Sequence, residues 1–124
     1  MLDEESFQVE RCKDATIVSL GSEFDLLEGD LVKKAEDKLL EVVEDKDCSH
    51  LILDMANTRF FGSSFIESLV RVWNQLKTRE HGSLQLCCLQ SYCKEILEVT
   101  HLDNIWEVSD SREDALKRCT SSKI

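Results

Sequence analysis

The sequence predicts a single α/β domain, residues 1–124, with a mixed and mostly parallel sheet of about five strands, an N-terminal antiparallel hairpin and about four helices. Two β-like segments, residues 7–11 and 15–20, flank a short polar connection and predict the hairpin. Strand-length apolar runs then alternate with segments of helical periodicity to the end of the chain. This alternation is typical of parallel strands joined by right-handed helical crossovers.

The first helix is predicted to begin near Gly29, because apolar residues recur at helical spacing after it. These residues are Leu31, Val32, Ala35, Leu39, Val42 and Val43. The run HLILDM, residues 50–55, is compact and apolar, which is typical of a strand that is buried on both faces. The following segment, ANTRFFG, is either the loop at the end of that strand or a loop that includes a further short strand.

The second helix follows this loop and has one apolar face. The residues of that face are Ile66, Leu69, Val70, Trp73 and Leu76. The segment REHG is predicted to close the helix, with His81 in its last turn and Gly82 in the left-handed conformation of a C-cap.

Four shorter elements complete the domain. They are a buried strand at residues 84–89, a third helix at 91–100, a short strand at 105–109 and a fourth helix at 110–119. Asp110 or Ser111 is expected to cap the last helix, because either side chain can accept a hydrogen bond from a first-turn amide. The last residues, TSSKI, are expected to fray.

The charge of the chain limits its partners. It has 25 acidic and 15 basic residues, a net charge of -10, and its field should repel nucleic acid and anionic membranes. The sequence begins without the pattern of a signal peptide, and no apolar run is long enough to span a membrane. A cytoplasmic protein without a cofactor is the expectation.

The six cysteines are expected to be reduced and mostly buried, because nothing in the sequence indicates export and the core is large enough without disulfides. Cys87 and Cys88 are adjacent, and Cys93 follows them at a spacing that zinc fingers do not use. Structural thiols are therefore favoured over a metal or redox site.

Two adjacent serines mark the junction between the central strand and the second helix, in the segment FFGSSFIE. Ser64 and Glu67 have the spacing of a capping box, which predicts Ser64 as a structural N-cap. Ser63 precedes this cap and is expected to be exposed. A phosphate on Ser63 would lie beside the positive end of the helix, so the position suits a reversible phosphate switch.

The segment LILDMANTRFFGSSFIESLV resembles the signature of STAS domains, the family of the bacterial anti-sigma factor antagonists. The resemblance extends over nearly the whole chain: GSEFDLLEGD is similar to the family's segment after the second strand, and KEILEVTHLDNIWEVSDSREDAL to its closing helix, strand and helix. Gly62 stands where the family has an aspartate, and Phe65 where it has a glycine.

The resemblance implies a regulatory binding protein rather than an enzyme. Its implied partner is an anti-sigma factor with serine kinase activity, which phosphorylates the antagonist and so prevents its own capture, and a phosphatase reverses the modification. By position, Ser63 corresponds to the phosphoacceptor. The partner-binding residues predicted beside it are Asp25, Asp54, Asn57, Gly62, Ser64 and Phe65.

Three alternatives stay open at this stage. Phe65 either packs into the core, which is the usual place for phenylalanine, or serves as a contact anchor beside Ser63. The domain could also act as a STAS-type scaffold or small-ligand-binding module without a phosphate cycle. A serine hydrolase is the least favoured alternative, because GSSFI has Ile66 where the nucleophile motif requires a glycine.

Overall fold

The structure is a computed structural model that describes residues 7–13 and 15–121. In this part of the chain the strands are β1 (Phe7–Arg11), β2 (Thr16–Leu20), β3 (Leu26–Leu27), β4 (His50–Asp54), β5 (Phe60–Phe61), β6 (Ser83–Cys87) and β7 (Glu107–Ser109). The helices are α1 (Asp30–Val43), α2 (Ser63–Leu76), α3 (Ser91–Val99) and α4 (Arg112–Ser121). Short 3₁₀ turns occupy Ser22–Phe24 and Leu102–Asn104. Within the described residues, none of the helices is long and apolar enough to cross a membrane.

The main sheet has five strands in the order β1-β2-β4-β6-β7. Strand β1 is antiparallel to β2, and the other neighbours are parallel. This confirms the mixed sheet with an N-terminal hairpin. Strand β5 is the short additional strand allowed for in ANTRFFG, and it pairs in parallel with β3, which the sequence did not predict.

Side chains of the central strands alternate between two apolar cores. Leu51 and Leu53 belong to the larger core, which also contains residues of α1 and α2. Ile52 belongs to the smaller core, which contains Ala115 of α4. Adjacent residues of a strand point to opposite faces, so helices cover both faces of the sheet. All five residues of β4 are buried, as the run HLILDM predicts.

The end of α2 differs from the prediction. The helix ends at Leu76, before REHG, and the left-handed residue is His81, with φ of 64°, rather than Gly82. Gly82 is needed for a different reason. A Cβ atom at this position would lie 1.8 Å from the carbonyl oxygen of Leu76, so only glycine lets the two backbone segments approach so closely.

The structure also bears on the predictions for β6, the cap of α4, the cysteines and the C-terminal tail. Strand β6 ends at Cys87 rather than at residue 89, because Cys88 has a positive φ of 62°. Ser111 caps α4, since its Oγ accepts a hydrogen bond from the amide of Asp114 at 3.1 Å. All six cysteines are free thiols and four of them are buried, in agreement with the sequence. Of the tail, residues 122–124 lie outside the described residues.

A polar clasp joins α1 to α2. The carboxylate of Glu36 accepts hydrogen bonds from Ser68 Oγ at 2.7 Å and from Arg71 Nε at 2.7 Å. The hydrogen bond from Arg71 is the largest cause that lowers the pKa of Glu36 from 4.5 to about 2. The clasp therefore stabilises the helix pair while Glu36 is ionised.

Glu36→Gln is expected to lower the free energy of unfolding by about 2 kcal/mol near neutral pH. This loss is smaller than the full lowering of the Glu36 pKa would give, because solvent screens the charge of the half-exposed Arg71. A lowered pKa contributes stability above the unfolded-state pKa, and this is lost as pH falls toward the folded-state pKa. The difference between the two proteins should thus shrink by more than half from about pH 6 to about pH 3. Urea unfolding at both pH values measures it. Asp37→Asn, which breaks an exposed pair on the same helix, is the control, and a difference independent of pH would contradict the expectation.

Candidate functional site

Asp25 fastens the turn before β3 to the loop before β5. Its carbonyl oxygen accepts hydrogen bonds from the amides of Arg59 at 2.9 Å and Phe60 at 3.2 Å. Its carboxylate accepts hydrogen bonds from Arg59 Nε and Nη2, both at 2.7 Å. The hydrogen bond from Arg59 lowers the pKa of Asp25, which favours the charged form of the carboxylate. This bidentate pair is called the Asp25–Arg59 clamp below.

Two amide side chains hold the rest of the loop at residues 55–59. Asn57 donates from Nδ2 to the carbonyl oxygen of Leu20 at 3.1 Å, which ties the loop to the end of β2. Gln90 donates from Nε2 to the carbonyl oxygen of Ala56 at 2.7 Å, which ties it to the segment after β6. The loop is thus fixed on both sides at the carboxyl edge of the parallel strands, where α/β proteins place ligand and partner sites.

Asp54 lies beneath this loop and is only 7% exposed. Its Oδ1 accepts a hydrogen bond from the amide of Ala56 at 3.0 Å, and its Oδ2 accepts one from Arg112 Nε at 2.6 Å. Arg112 also contacts Glu10 and Ser19. In this structure Asp54 therefore positions the loop from below, and a direct contact of Asp54 with a partner stays a prediction.

The start of α2 does not use the predicted capping box. Gly62 occupies the N-cap position with φ of -113° and ψ of -165°, and among the described residues no side chain caps the helix. Ser64 is the second residue of the helix, so it cannot be its N-cap. The prediction of Ser64 as a cap with Glu67 was wrong because the extended residue that precedes the helix lies two positions earlier.

Ser63 is the first residue of α2, and its side chain is exposed, as predicted. The amides of Phe65 and Ile66 donate to the carbonyl oxygen of Gly62 at 3.2 and 3.3 Å, which begins the hydrogen bonding of the helix. The amides of Ser63 and Ser64 precede these bonds at the positive end of the helix dipole. This position can accommodate an anionic group on the Ser63 hydroxyl.

Phe65 packs into the core. Its side chain is 0% exposed, and its ring lies 5.5 Å from that of Phe61. Of the two alternatives for this residue, the structure shows the core role. The predicted partner contact at Phe65 is not available in this conformation, because the side chain has no exposed surface.

An apolar rim, defined as Leu26, Phe60 and Tyr92, lies at the β3–β5 pair that precedes α2. Leu26 is 45% exposed and pairs with Phe60 across β3 and β5, and Tyr92 is 51% exposed. The ring of Phe60 stacks on that of Tyr92 with centroids 5.4 Å apart. The Phe60 ring also lies close to Gly62, where an added Cβ would be 3.8 Å from Cζ. Exposed aromatic and aliphatic side chains grouped in this way are typical of protein contact surfaces.

The structure thus brings Asp25, Asn57, Gly62, Ser63 and Ser64 to one edge of the domain and places Asp54 and Phe65 beneath it. The residues that sequence reasoning missed are Arg59, Leu26, Phe60 and Tyr92. Tyr92 is the single tyrosine of the chain and follows the end of a predicted buried strand. An aromatic residue at that position is a sequence signal for a contact surface at the edge of the sheet. The pairing of Arg59 with Asp25 joins residues far apart in the chain and has no sequence signal of its own.

Comparisons with known proteins agree with this architecture. The family model of the STAS domain matches residues 6–115. The chain is 24% identical over 109 residues to an anti-sigma F factor antagonist of Paenibacillus polymyxa, with 88% of this chain and 90% of that protein covered. An anti-sigma-factor antagonist (STAS) domain protein from Planctomyces limnophilus has a similar structure, with a TM-score of 0.85 and 31% identity over 92% of this chain and 97% of that one.

A third similar protein is the Bacillus cell fate determinant SpoIIAA, whose structure was solved in the phosphorylated form. It has a TM-score of 0.63 and 16% identity, with 90% of this chain and 97% of that one covered, and so supports the fold alone. The family model covers most of the chain, and its extent agrees with the sheet order and helices described above. The chain belongs to the STAS domain family.

Proposed function

We propose that this chain is an anti-sigma factor antagonist that binds an anti-sigma factor with serine kinase activity and is released from it by phosphorylation of Ser63. A phosphatase restores the binding form. The exchange takes place in the cytoplasm, and the chain takes part as a binding protein rather than as an enzyme. The relatives that carry the name of antagonist support the general role.

The observation that carries the proposal is the exposed Ser63 hydroxyl beside the apolar rim. A kinase requires an accessible hydroxyl, and a binding partner requires an anchoring surface. The ring of Phe60, which belongs to the rim, lies beside Gly62, and Gly62 directly precedes the exposed Ser63. A modification of Ser63 therefore falls inside the proposed contact rather than at a distance from it.

The electrostatics explain how phosphate would end the complex. A phosphate adds about two negative charges and three acceptor oxygens at pH 7. On Ser63 it would adjoin the first amides of α2 and be retained there. A close contact with the partner would then require the charged phosphate to lose its hydrating water, which costs free energy. The rim would then lose its fit to the partner without any change of fold.

The rim makes a testable contribution to this binding. Tyr92→Ala is expected to weaken partner affinity by about tenfold or more, because an exposed aromatic anchor is removed while the core is untouched. Titration calorimetry with the anti-sigma factor that affinity capture identifies measures the effect. Val99→Ala is the control, since Val99 is an apolar, 68% exposed residue at the other end of α3. Equal losses in both variants would contradict a contact centred on the rim.

The proposal as a whole is tested in the organism that encodes this chain. Phosphopeptide mass spectrometry on protein from growing and stressed cells should locate phosphate on Ser63 at an occupancy that changes with condition. Affinity capture with a Ser63→Ala bait should retain a kinase-type anti-sigma factor, which mass spectrometry identifies. Ser63 unmodified in every condition, with a synthetic phosphopeptide as the detection standard, would overturn the phosphate switch. Failure to capture such a kinase would overturn the antagonist role.

A further inference from the structure

Three side chains of metal-ligand type converge where β4 and β6 end, on the α4 side of the sheet. They are Asp54, Cys87 and Cys88, and one ligand atom from each lies within 4.8 Å of the others. Asp54 and Cys87 are direct neighbours across the two strands. Cys87 is fully buried and Cys88 is half-buried, so the cluster has a closed side and an accessible side.

The backbone of Cys88 makes this convergence possible. Adjacent residues in a regular strand point to opposite faces, which would keep the two sulfur atoms apart. Strand β6 ends at Cys87, and Cys88 adopts a left-handed conformation with φ of 62°. This conformation costs roughly 1–2 kcal/mol for a residue with a Cβ, and glycine would adopt it freely. The chain nevertheless has a cysteine there, held by a hydrogen bond from its amide to the carbonyl of Ser109 at 3.1 Å.

The charges around the cluster suit a divalent ion bound by thiolates. Arg112 neutralises Asp54 at 2.6 Å. If an ion replaces both thiol protons, the two thiolates and the carboxylate carry three negative charges, which the dication and the guanidinium balance. The three ligands, the ion and Arg112 are together neutral, and the exposed Glu10, which also pairs with Arg112 at 3.3 Å, adds a negative charge on the solvent side.

We propose that Asp54, Cys87 and Cys88 form a three-ligand site for a thiophilic divalent ion of the Zn²⁺ class. Water takes the fourth position on the half-buried side. Binding forms two metal–sulfur bonds and releases two thiol protons to solvent. In a tetrahedral site the zinc–sulfur distance is about 2.3 Å and the zinc–oxygen distance about 2.0 Å, so the sulfurs are about 3.8 Å apart and each lies about 3.5 Å from the oxygen. The ligand atoms, which lie within 4.8 Å of one another, therefore need to close by about 1.3 Å at most. Thiolates select such ions over Mg²⁺ and Ca²⁺.

The sequence could not indicate this site. Cys87, Cys88 and Cys93 are close together in the sequence, but their spacing does not match a zinc motif. In the structure Cys93 lies elsewhere, with its Sγ directed to the carbonyl of Thr58 at 3.6 Å, and the third ligand comes from another strand. The proposed site is independent of the proposed function of Ser63.

The test uses the full reduced chain, with six free thiols verified beforehand. Titration with Co²⁺ should give the visible absorption of tetrahedral cobalt thiolate at one ion per chain, and Zn²⁺ should displace it. About two protons should be released per ion in weak buffer. Cys88→Ser should weaken Co²⁺ binding by more than about tenfold. Cys93→Ser is the matched control, because its hydroxyl can keep the hydrogen bond to Thr58, and it should bind as the wild type does.

A second variant keeps the test decisive if serine disturbs the fold. Cys88→Gly removes the ligand and suits the positive φ, so it should be at least as stable as the wild type and still lose the ion. Circular dichroism and urea unfolding verify its fold. The site is refuted if Co²⁺ gives only an octahedral spectrum, if Cys88→Gly binds as well as the wild type, or if Cys93→Ser loses binding to the same extent.

Discussion

Ser63→Asp is expected to weaken binding of the captured anti-sigma factor by more than about a hundredfold, which corresponds to roughly 3 kcal/mol. The aspartate places a permanent charge at the first turn of α2, beside the apolar rim. Burying that charge against a partner without a compensating cation costs several kcal/mol, whereas the small serine hydroxyl is easily accommodated. The same substitution should leave the fold intact, because acidic residues are favourable in the first turn of a helix.

Calorimetry or biolayer interferometry with the purified partner measures this change. Ser63→Ala should bind as the wild type does, since a methyl group fits where a hydroxyl does. Asn74→Asp adds one negative charge to the exposed surface of the same helix, about 16 Å along its axis, and should have little effect. A loss in Asn74→Asp as large as that in Ser63→Asp would show a general effect of charge. Unchanged affinity in Ser63→Asp would contradict the proposed switch.

Gly82→Ala is expected to have the largest effect on stability, a loss of about 3–5 kcal/mol in the free energy of unfolding. The added Cβ would lie 1.8 Å from the carbonyl oxygen of Leu76 and 2.7 Å from its carbonyl carbon. Both atoms belong to the backbone at the end of α2, so no side-chain rotation relieves the overlap. Either the end of the helix or the beginning of β6 has to move, which disturbs the buried centre of the sheet.

Chemical unfolding of Gly82→Ala by urea, followed by circular dichroism, measures this loss. Gly62→Asp is a suitable control for replacing a glycine. Gly62 has an extended backbone, and a Cβ there makes only ordinary contact with Phe60, so aspartate can act as an N-cap. Its stability should equal or slightly exceed that of the wild type. If Gly82→Ala unfolds at the same urea concentration as the wild type, the close approach is not essential to the fold.

Periodicity predicted the order of helices and strands because it reports which side chains are buried. The run HLILDM shows this most clearly, since every residue of β4 proved to be buried. Local backbone choices were harder to predict. His81 and Cys88 adopt positive φ although neither is glycine, and the adjacent Gly82 is required for close packing instead. Such conformations are imposed by the surrounding structure, so residue type alone does not reveal them.

The candidate site likewise contains one part that the sequence predicts and another that it does not. The exposed Ser63 could be placed because it depends on a strand-to-helix junction that local sequence encodes. The Asp25–Arg59 clamp and the stacking of Phe60 on Tyr92 depend on which loops meet at the edge of the sheet. Those contacts join residues that are distant along the chain, and periodicity carries no information about them.

Among the strands of the described residues, β1 and β7 lie at the two edges of the main sheet. Open strand edges can recruit further strands and lead to aggregation. Strand β7 is only three residues long, and β1 carries Glu10 and Arg11 with exposed side chains, so both edges are poor templates for such growth. The proposed antagonist has to be present at a concentration comparable with that of the target it captures. These edges are expected to keep the protein dispersed at such concentrations.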